Sequence, residues 1–224
     1  MAELTCFVRD RSCAIDQCEG AGGGRKLVVL SSRPSNRLVI GMRPNADPFD
    51  PVETARLKLR CVRPGDAART SAMMTRAVSR WVASWSVPFT PKMATERIAA
   101  ARVAAEDGRA LPFVAERRSD GALLGWVGVT RDAMDNGRGV LGYWLGEEFH
   151  GCGYMREAAQ AVVITAFERL NLNVIEAGAQ PENAASFAVM RWCGMTPAGE
   201  RMVFAPARER DELCLLYEKV RPAT

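Results

Sequence analysis

Two glycines with a cysteine between them, Gly151-Cys152-Gly153, stand at the junction of a predicted strand and a predicted helix. Glycine adopts positive φ without strain and allows a ligand to approach the backbone closely. Successive N–H groups at the start of a helix then face an anion, and a phosphate suits such a turn well. The passage has neither the Gly-Lys-Ser/Thr of a P-loop nor the third glycine of the GxGxxG fingerprint. Two glycines alone are equally compatible with an ordinary strand-to-helix turn that binds no anion.

Four neighbouring elements position this turn. The apolar run over 139–145 predicts a strand before it, and apolar residues at three- and four-residue steps predict a helix over 155–171 after it. A second strand is predicted at 174–179. Pro181-Glu182-Asn183 then leads into a short helix predicted over 184–193.

The remaining chain after residue 53 is predicted to alternate between strands and helices. Leu57, Leu59 and Cys61 alternate with basic residues, which is typical of a half-buried strand. Further strands are predicted at 111–116, 122–129, 201–204 and 213–220. Helices are predicted after Asp66, which can serve as an N-cap, and after Thr90-Pro91. The order predicts a mixed α/β fold on a single sheet.

An apolar stripe follows the predicted cap at Asp66. It recurs at three- and four-residue steps and consists of Met73, Met74, Val78, Trp81, Val82 and Trp85. One interpretation is that the stripe packs into the core. The other is that Trp81, Trp85 and Phe89 line a substrate cleft.

Composition limits the classes of function. The chain has 224 residues, of which 48% are hydrophobic and 25% charged, as in an ordinary globular protein. The net charge of +4 is small and scattered, so no nucleic-acid partner is expected. No window reaches the roughly 20 apolar residues of a membrane span, and no secretory signal is visible, so no membrane association is expected. Seven cysteines without a CxxC pair favour reduced thiols and a cytoplasmic location.

No metal site is expected either. His150 is the single histidine, and zinc sites draw mostly on histidine or clustered cysteine. The only cysteine cluster, Cys6, Cys13 and Cys18, lies in the least structured stretch of the chain.

That stretch, residues 1–53, is rich in glycine and proline and has no amphipathic period. A mobile tail, a small added lobe and an upstream segment absent from the mature protein are all compatible with it. We expect a poorly ordered N-terminal extension over 1–53, followed by one domain over 54–224.

Three passages together carry a resemblance to a known family. They are Gly142-Tyr143-Trp144-Leu145-Gly146, the run from Phe149 to Ala158, and Pro181-Glu182-Asn183-Ala184-Ala185-Ser186. Over about residues 55–220 the chain resembles the GNAT superfamily of N-acetyltransferases, in its RimJ/RimL-type branch. The resemblance implies a mixed, mostly antiparallel sheet of about seven strands flanked by about four helices. It also implies a V-shaped splay between the fourth and fifth strands, with acetyl-CoA as co-substrate and no metal.

The resemblance assigns cofactor-binding residues. The pyrophosphate of acetyl-CoA would be held by backbone N–H groups of Gly151, Cys152, Gly153, Tyr154 and Met155. The backbone at Leu145 and Gly146 would bind the pantetheine and polarise the thioester carbonyl. Asn183 would contact the pantetheine arm.

The implied reaction is direct attack of a primary amine on the thioester, which needs an acid for the thiolate and a base for the ammonium. Ser186, near the sulfur, is the candidate acid, and Glu148 is the candidate base. Glu147 and Glu176 are alternatives to Glu148. A covalent route through Cys152 is conceivable but not expected.

The acceptor would be a protein N-terminus or a small-molecule amine, and a homodimer is possible. Open acidic walls around the cleft would favour a peptide, whereas a closed aromatic pocket would favour a small molecule. The alternative function is a non-catalytic acyl-CoA-binding module of the same fold.

The chain departs from the resemblance at Glu148, where the superfamily often has Gln or Arg, at Met195, which replaces a phenylalanine, and in the second helix. The branch usually carries basic residues in the second helix where this chain has Ala188 and Trp192. Arg156 and Arg191 are therefore the candidates for binding the 3′-phosphate of coenzyme A.

Overall fold

The computed structural model describes residues 49–222, which form one eight-stranded sheet with five α-helices. The strands are β1 (Val52–Glu53), β2 (Leu57–Cys61), β3 (Ala110–Arg117), β4 (Leu123–Arg131), β5 (Arg138–Leu145), β6 (Val174–Ala179), β7 (Thr196–Ala205) and β8 (Arg210–Val220). The helices are α1 (Ala67–Met73), α2 (Arg76–Ser79), α3 (Pro91–Glu106), α4 (Tyr154–Arg169) and α5 (Ala184–Trp192). Residues 1–48 of the extension predicted over 1–53 lie outside the described residues. The last two residues of the extension, Val52 and Glu53, form β1 and pair with β2.

The sheet order is β1-β2-β3-β4-β5-β6-β8-β7, and every neighbouring pair is antiparallel except β5 and β6. This confirms the predicted mixed α/β fold on one mostly antiparallel sheet. The predicted strand count falls one short because β1 has only two residues and gives no periodic signal. The fourth and fifth predicted strands are therefore β5 and β6.

The first predicted helix is broken in two, which accounts for a fifth helix. α1 ends at Met73, and Met74 leaves the helical region. Thr75 then caps α2, because its side-chain oxygen accepts a hydrogen bond from the N–H of Val78 at 3.3 Å. No helix within residues 49–222 combines the length and apolar character that crossing a membrane requires.

The side chain of Asp66, which was predicted to cap α1, instead forms a buried ion pair. Arg60 donates from Nη1 and Nη2 to the carboxylate of Asp66, both at 2.9 Å, and from Nε to Glu116 at 2.7 Å. Arg60 is only 8% exposed, so the predicted half-buried alternation over 57–61 is wrong at this position. The hydrogen bond to Asp66 outweighs the desolvation of the guanidinium and raises the pKa of Arg60 above its usual value.

An aromatic cluster joins α2 and the following segment to the sheet. The ring of Trp85 lies 5.0 Å from that of Phe89, 5.2 Å from that of Trp126 and 5.1 Å from that of Trp144. Trp85 and Phe89 are buried, at 8% and 7% exposure. The core interpretation of the apolar stripe is therefore confirmed for these two residues, and Trp81 has a different position, described below.

Candidate functional site

The parallel strands β5 and β6 pair over only three residues. Their register joins Arg138 to Val174, Gly139 to Ile175 and Val140 to Glu176, and stops there. Beyond this point β5 stays paired with β4 as far as Leu145, while β6 stays paired with β8 as far as Ala179. The two strands therefore diverge, and the predicted V-shaped splay is confirmed.

A cavity of about 380 Å³ lies against the end of β5, beyond the point where its pairing with β6 stops. Four segments of the chain line it, which are the end of β5, the loop into α4, the start of α5 and the region of α2. The lining residues are Val78, Trp81, Val82, Tyr143, Trp144, Leu145, Phe149, His150, Gly151, Gly153, Tyr154, Met155, Arg156, Asn183, Ala185, Ser186, Ala188 and Val189. Seven of the predicted site residues are among them, and Gly146, Glu148 and Cys152 are not.

The loop from β5 into α4 has the backbone that its glycines predict. Gly151 and Gly153 both adopt φ of +75°, in the left-handed region that favours glycine. A Cβ atom at Gly151 would meet nothing within 4 Å, so conformation rather than crowding requires glycine there. Gly153 is the N-cap of α4, and no side chain caps the helix. The first N–H groups of α4 can therefore bind an anion at the mouth of the cavity.

The backbone groups of Leu145 and Gly146, at the end of β5, point to opposite sides of the strand. The N–H of Gly146 donates to the carbonyl of Leu124 at 2.9 Å and is thus engaged by β4. Backbone groups alternate in direction along a strand, so those of Leu145 lie on the side of β6. The ring nitrogen Nε2 of His150 supports this arrangement, because it lies 3.0 Å from the carbonyl oxygen of Leu145. The Leu145 N–H is therefore the backbone donor that faces the splay.

Three residues fix the opposite wall of the cavity to β5. Asn183 caps α5, with its Oδ1 accepting from the N–H of Ser186 at 3.1 Å, and is itself only 7% exposed. The hydroxyl of Tyr143 on β5 donates to the carbonyl of Ser186 at 3.1 Å. This bond spans the splay and ties α5 to the strand it diverges from. Tyr143 lies in a passage that carried the resemblance, but nothing in the sequence indicated this bridge.

The three candidate carboxylate bases lie off the cavity wall. Glu148 pairs with Arg69 at 2.6 Å, both about half exposed. Glu147 accepts a hydrogen bond from the hydroxyl of Thr75. Glu176 is buried and pairs with Arg201 at 2.5 Å.

Cys152 is exposed, and its thiol lies 3.5 Å from the carbonyl of His150. Within residues 49–222, no group of three or more metal-ligating side chains is placed to hold a metal ion.

The region of α2 forms the far side of the cavity, where Val78, Trp81 and Val82 lie. Arg208 in the turn between β7 and β8 holds this region, donating to the carbonyl of Ser79 at 2.9 Å. A second cleft of about 530 Å³ adjoins it and shares Trp81 with the cavity. Its other walls are largely polar, and they consist of Arg80, Gln180, Pro181, Glu182, Arg208, Arg210, Asp211, Glu212 and Leu213.

A family model described as "Acetyltransferase (GNAT) domain" matches residues 56–196. The chain therefore belongs to the GNAT acetyltransferase family, a family of acyltransferases. It is 34% identical to the uncharacterised N-acetyltransferase p20 of Bacillus licheniformis over 84 residues, which are 38% of this chain and 47% of that protein. The chain thus spans about half the length of the curated relatives it matches.

Solved structures share the fold. RimJ of Mycobacterium smegmatis, in complex with CoA-disulfide, is 26% identical with a TM-score of 0.66, over 77% of this chain and 88% of that chain. Ribosomal-protein-S5-alanine acetyltransferase of Vibrio fischeri is 23% identical with a TM-score of 0.67, over 77% of this chain and all of that chain. The recognition of a RimJ/RimL-like GNAT fold is confirmed.

Proposed function

We propose that the protein is an acetyl-CoA-dependent N-acetyltransferase. The observation that carries this proposal is the divergence of β5 and β6 after Val140, with an uncapped helix N-terminus at the mouth of the opening. The walls of the cavity change from the backbone of the glycine-containing loop to apolar side chains. One part therefore suits the charged diphosphate of such a ligand and the other its uncharged arm. Acetyl-CoA supplies the acetyl group as a thioester, which is reactive towards amines.

The described residues fit acetyl-CoA at two places. The backbone N–H groups of residues 151–155 hold the diphosphate, since the positive end of α4 attracts an anion. The pantetheine arm lies along the end of β5 and the start of α5, where Leu145 and Asn183 line the cavity. The Gly146 N–H is engaged by Leu124, so the polarising donor to the thioester carbonyl is the N–H of Leu145.

Ser186 is the proposed acid. It lies in the first turn of α5 and lines the cavity, while its backbone is held by Asn183 and Tyr143. These bonds fix the backbone of Ser186 in the cavity wall, and the proposed role of its hydroxyl is to deliver a proton to the departing sulfur.

Glu148 is proposed as the base that takes the ammonium proton, acting through water because it lies off the cavity wall. The ion pair with Arg69 fixes its position at the end of β5.

We propose a protein N-terminus as the acceptor. The second cleft adjoins the cavity at Trp81, and its open walls are charged, although three arginines balance three carboxylates and the walls are not the acidic ones expected for a peptide. Trp85 and Phe89 do not line the 380 Å³ cavity, so they do not close an aromatic pocket around a small amine in it. The Vibrio fischeri structure, which shares the fold, is named for a ribosomal protein as its substrate and supports a protein substrate by analogy.

A thiol-release assay tests the proposal. The protein and acetyl-CoA are incubated with a panel of N-terminal peptides and a panel of small amines, and free coenzyme A is measured. Release that depends on a peptide amine is expected, and release with small amines only would contradict the proposed acceptor.

The variant Ser186→Ala distinguishes the proposed enzyme from the alternative, a non-catalytic acyl-CoA-binding module. An enzyme that uses the hydroxyl as an acid loses turnover in this variant while calorimetry gives an unchanged dissociation constant for acetyl-CoA. Cofactor binding without release from any amine, in the wild-type protein, would favour the module.

A further inference from the structure

Glu157 places a carboxylate in the first turn of α4, beside the loop that the proposed function assigns to the diphosphate. It accepts hydrogen bonds from the Thr54 hydroxyl at 2.6 Å, from the backbone N–H of Arg56 at 2.8 Å and from Nε of Arg56 at 2.7 Å. Desolvation raises the pKa of Glu157, but these hydrogen bonds together lower it by more, so the net shift is downwards. The carboxylate is therefore ionised at neutral pH and would repel a phosphate unless a cation neutralises it.

Arg56 is that cation, and it also reaches the loop itself. Its Nη1 donates to the carbonyl of Cys152 at 3.0 Å, and its guanidinium carbon lies 4.6 Å from the ring centroid of Tyr154. Nη2 would be the nearest atom to a Cβ built at Gly153, at 3.6 Å. One side chain thus contacts Cys152 and Tyr154 and lies beside Gly153 between them, although about a hundred residues separate it from them along the chain.

The bond to Cys152 has a geometric consequence for the proposed anion site. A trans peptide unit is planar, with its C=O and the following N–H pointing in opposite directions. Holding the Cys152 carbonyl against Arg56 therefore directs the N–H of Gly153 away from Arg56. Gly151 and Gly153 both adopt the left-handed conformation, so the direction of the Gly153 N–H is set jointly by these dihedral angles and by the bond from Arg56 to Cys152.

We propose that Arg56 is a positioning residue for the diphosphate-binding loop: it orients the Cys152–Gly153 peptide and cancels the charge of Glu157. This inference rests on the proposed function and extends it to a residue outside the loop. The side chain of Arg56 is 46% exposed and that of Glu157 is 18% exposed, so the pair is only partly buried and its loss is expected to cost less stability than the loss of a fully buried pair. The effect of Arg56 is expected in ligand affinity and in the mobility of the loop.

Arg118 offers a matched control for Arg56. It is 48% exposed, donates to the carbonyl of Thr54 at 2.9 Å and pairs with Glu53 at 3.5 Å, so it holds the same stretch of chain through similar bonds. Arg56→Gln is expected to weaken coenzyme A binding about tenfold in calorimetry, and 3′-dephospho-coenzyme A binding equally, because the diphosphate is common to both. Arg118→Gln should bind both ligands within about twofold of the wild-type protein.

Two further variants separate the two parts of the role. Arg56→Lys keeps the charge but lacks the fork that bonds Glu157 and Cys152 together, so it should recover only part of the affinity. Glu157→Gln in the Arg56→Gln background removes the unneutralised carboxylate and should bind more tightly than Arg56→Gln alone. With peptide acceptor, Arg56→Gln should raise KM for acetyl-CoA and leave kcat nearly unchanged.

Hydrogen exchange of the free protein tests the positioning role without any ligand. The amides of residues 152–155 should exchange about tenfold faster in Arg56→Gln than in the wild-type protein, whereas Arg118→Gln should leave them unchanged. Unchanged exchange and unchanged coenzyme A affinity in Arg56→Gln would overturn the inference. If the wild-type protein bound no coenzyme A, the proposed function would fail, and the exchange rates would still decide whether Arg56 orders the loop.

Discussion

A negative charge at position 151 should abolish tight binding of acetyl-CoA. Gly151 lines the cavity at φ of +75°, and a side chain there meets no protein atom within 4 Å. Aspartate and asparagine both tolerate the left-handed conformation better than most residues, and they have nearly the same shape. Comparing Gly151→Asp with Gly151→Asn therefore isolates the charge from the backbone strain.

The magnitude follows from Coulomb's law. A carboxylate at 151 would lie on the order of 5 Å from an anion held by the neighbouring amides, which at an effective dielectric constant of about 20 gives roughly 3 kcal/mol of repulsion per charge. That free energy is about a hundredfold in the dissociation constant. Raising the salt concentration should reduce the difference in dissociation constant between the two variants, because salt screens charge repulsion at the open mouth of the cavity.

Gly121 provides the control for strain. It lies in the turn between β3 and β4 at φ of +72°, and a Cβ there also meets nothing within 4 Å. Gly121→Asp and Gly151→Asp should lose similar stability, about 1 kcal/mol by thermal unfolding, but only Gly151→Asp should lose affinity in calorimetry. Equal affinities for the Asp and Asn variants at 151 would refute the anion site.

Three other perturbations have expected outcomes. Asp66→Ala removes two hydrogen bonds from the buried guanidinium of Arg60, although the pair with Glu116 remains, and should lower the free energy of unfolding by about 3 kcal/mol in urea titration, whereas Asp120→Ala breaks an exposed pair and should change it by less than about 1 kcal/mol; equal losses would contradict the buried pair. The hydrogen bond from Arg208 outweighs burial and lowers the pKa of Glu212 to about 2, so its stabilisation is complete above the unfolded pKa and is lost as pH falls from about 4.5 towards 2. Glu212→Gln should remove up to about 3 kcal/mol at pH 7 and flatten the stability–pH curve over that acidic range; a parallel curve would count against the bond. Arg156→Gln should weaken coenzyme A more than 3′-dephospho-coenzyme A, since Arg156 lines the cavity mouth beside the exposed ring of Trp192, and equal weakening would exclude a 3′-phosphate contact.

Most strands of the sheet could be predicted because local residue patterns indicate them. The apolar run that became β5 falls where it was expected, the last strand extends the predicted 213–220 back to Arg210, and the turn at Gly121 separates β3 from β4. The two-residue strand β1 and the break between α1 and α2 escaped prediction. β1 is defined only by its partner β2, and the break depends on the cap at Thr75, which an apolar stripe does not reveal.

The site was predictable to the extent that it consists of backbone. Positive φ at Gly151 and Gly153 follows from residue type, and the cap at Asn183 follows from its place before a helix. What could not be predicted depends on contacts between distant segments. Arg56 reaches the loop from the far end of the domain, and Tyr143 bridges the splay to Ser186.

The same limit explains the candidate bases. In the sequence, Glu148 stands beside the loop and is a natural proton acceptor. Its partner Arg69 lies in α1, so only the fold reveals that the carboxylate is paired and directed off the cavity wall. The same holds for Glu176, which Arg201 on β7 engages.

The central claim is that the amides between Phe149 and Arg156 hold the diphosphate of acetyl-CoA where β5 and β6 diverge. Titration of the ¹⁵N-labelled protein with acetyl-CoA tests it most directly, by following the backbone amide resonances. We expect the largest saturable shifts at residues 151–155, with smaller ones at Leu145 and Asn183. Saturable binding that leaves residues 151–155 unshifted and moves another region would contradict it.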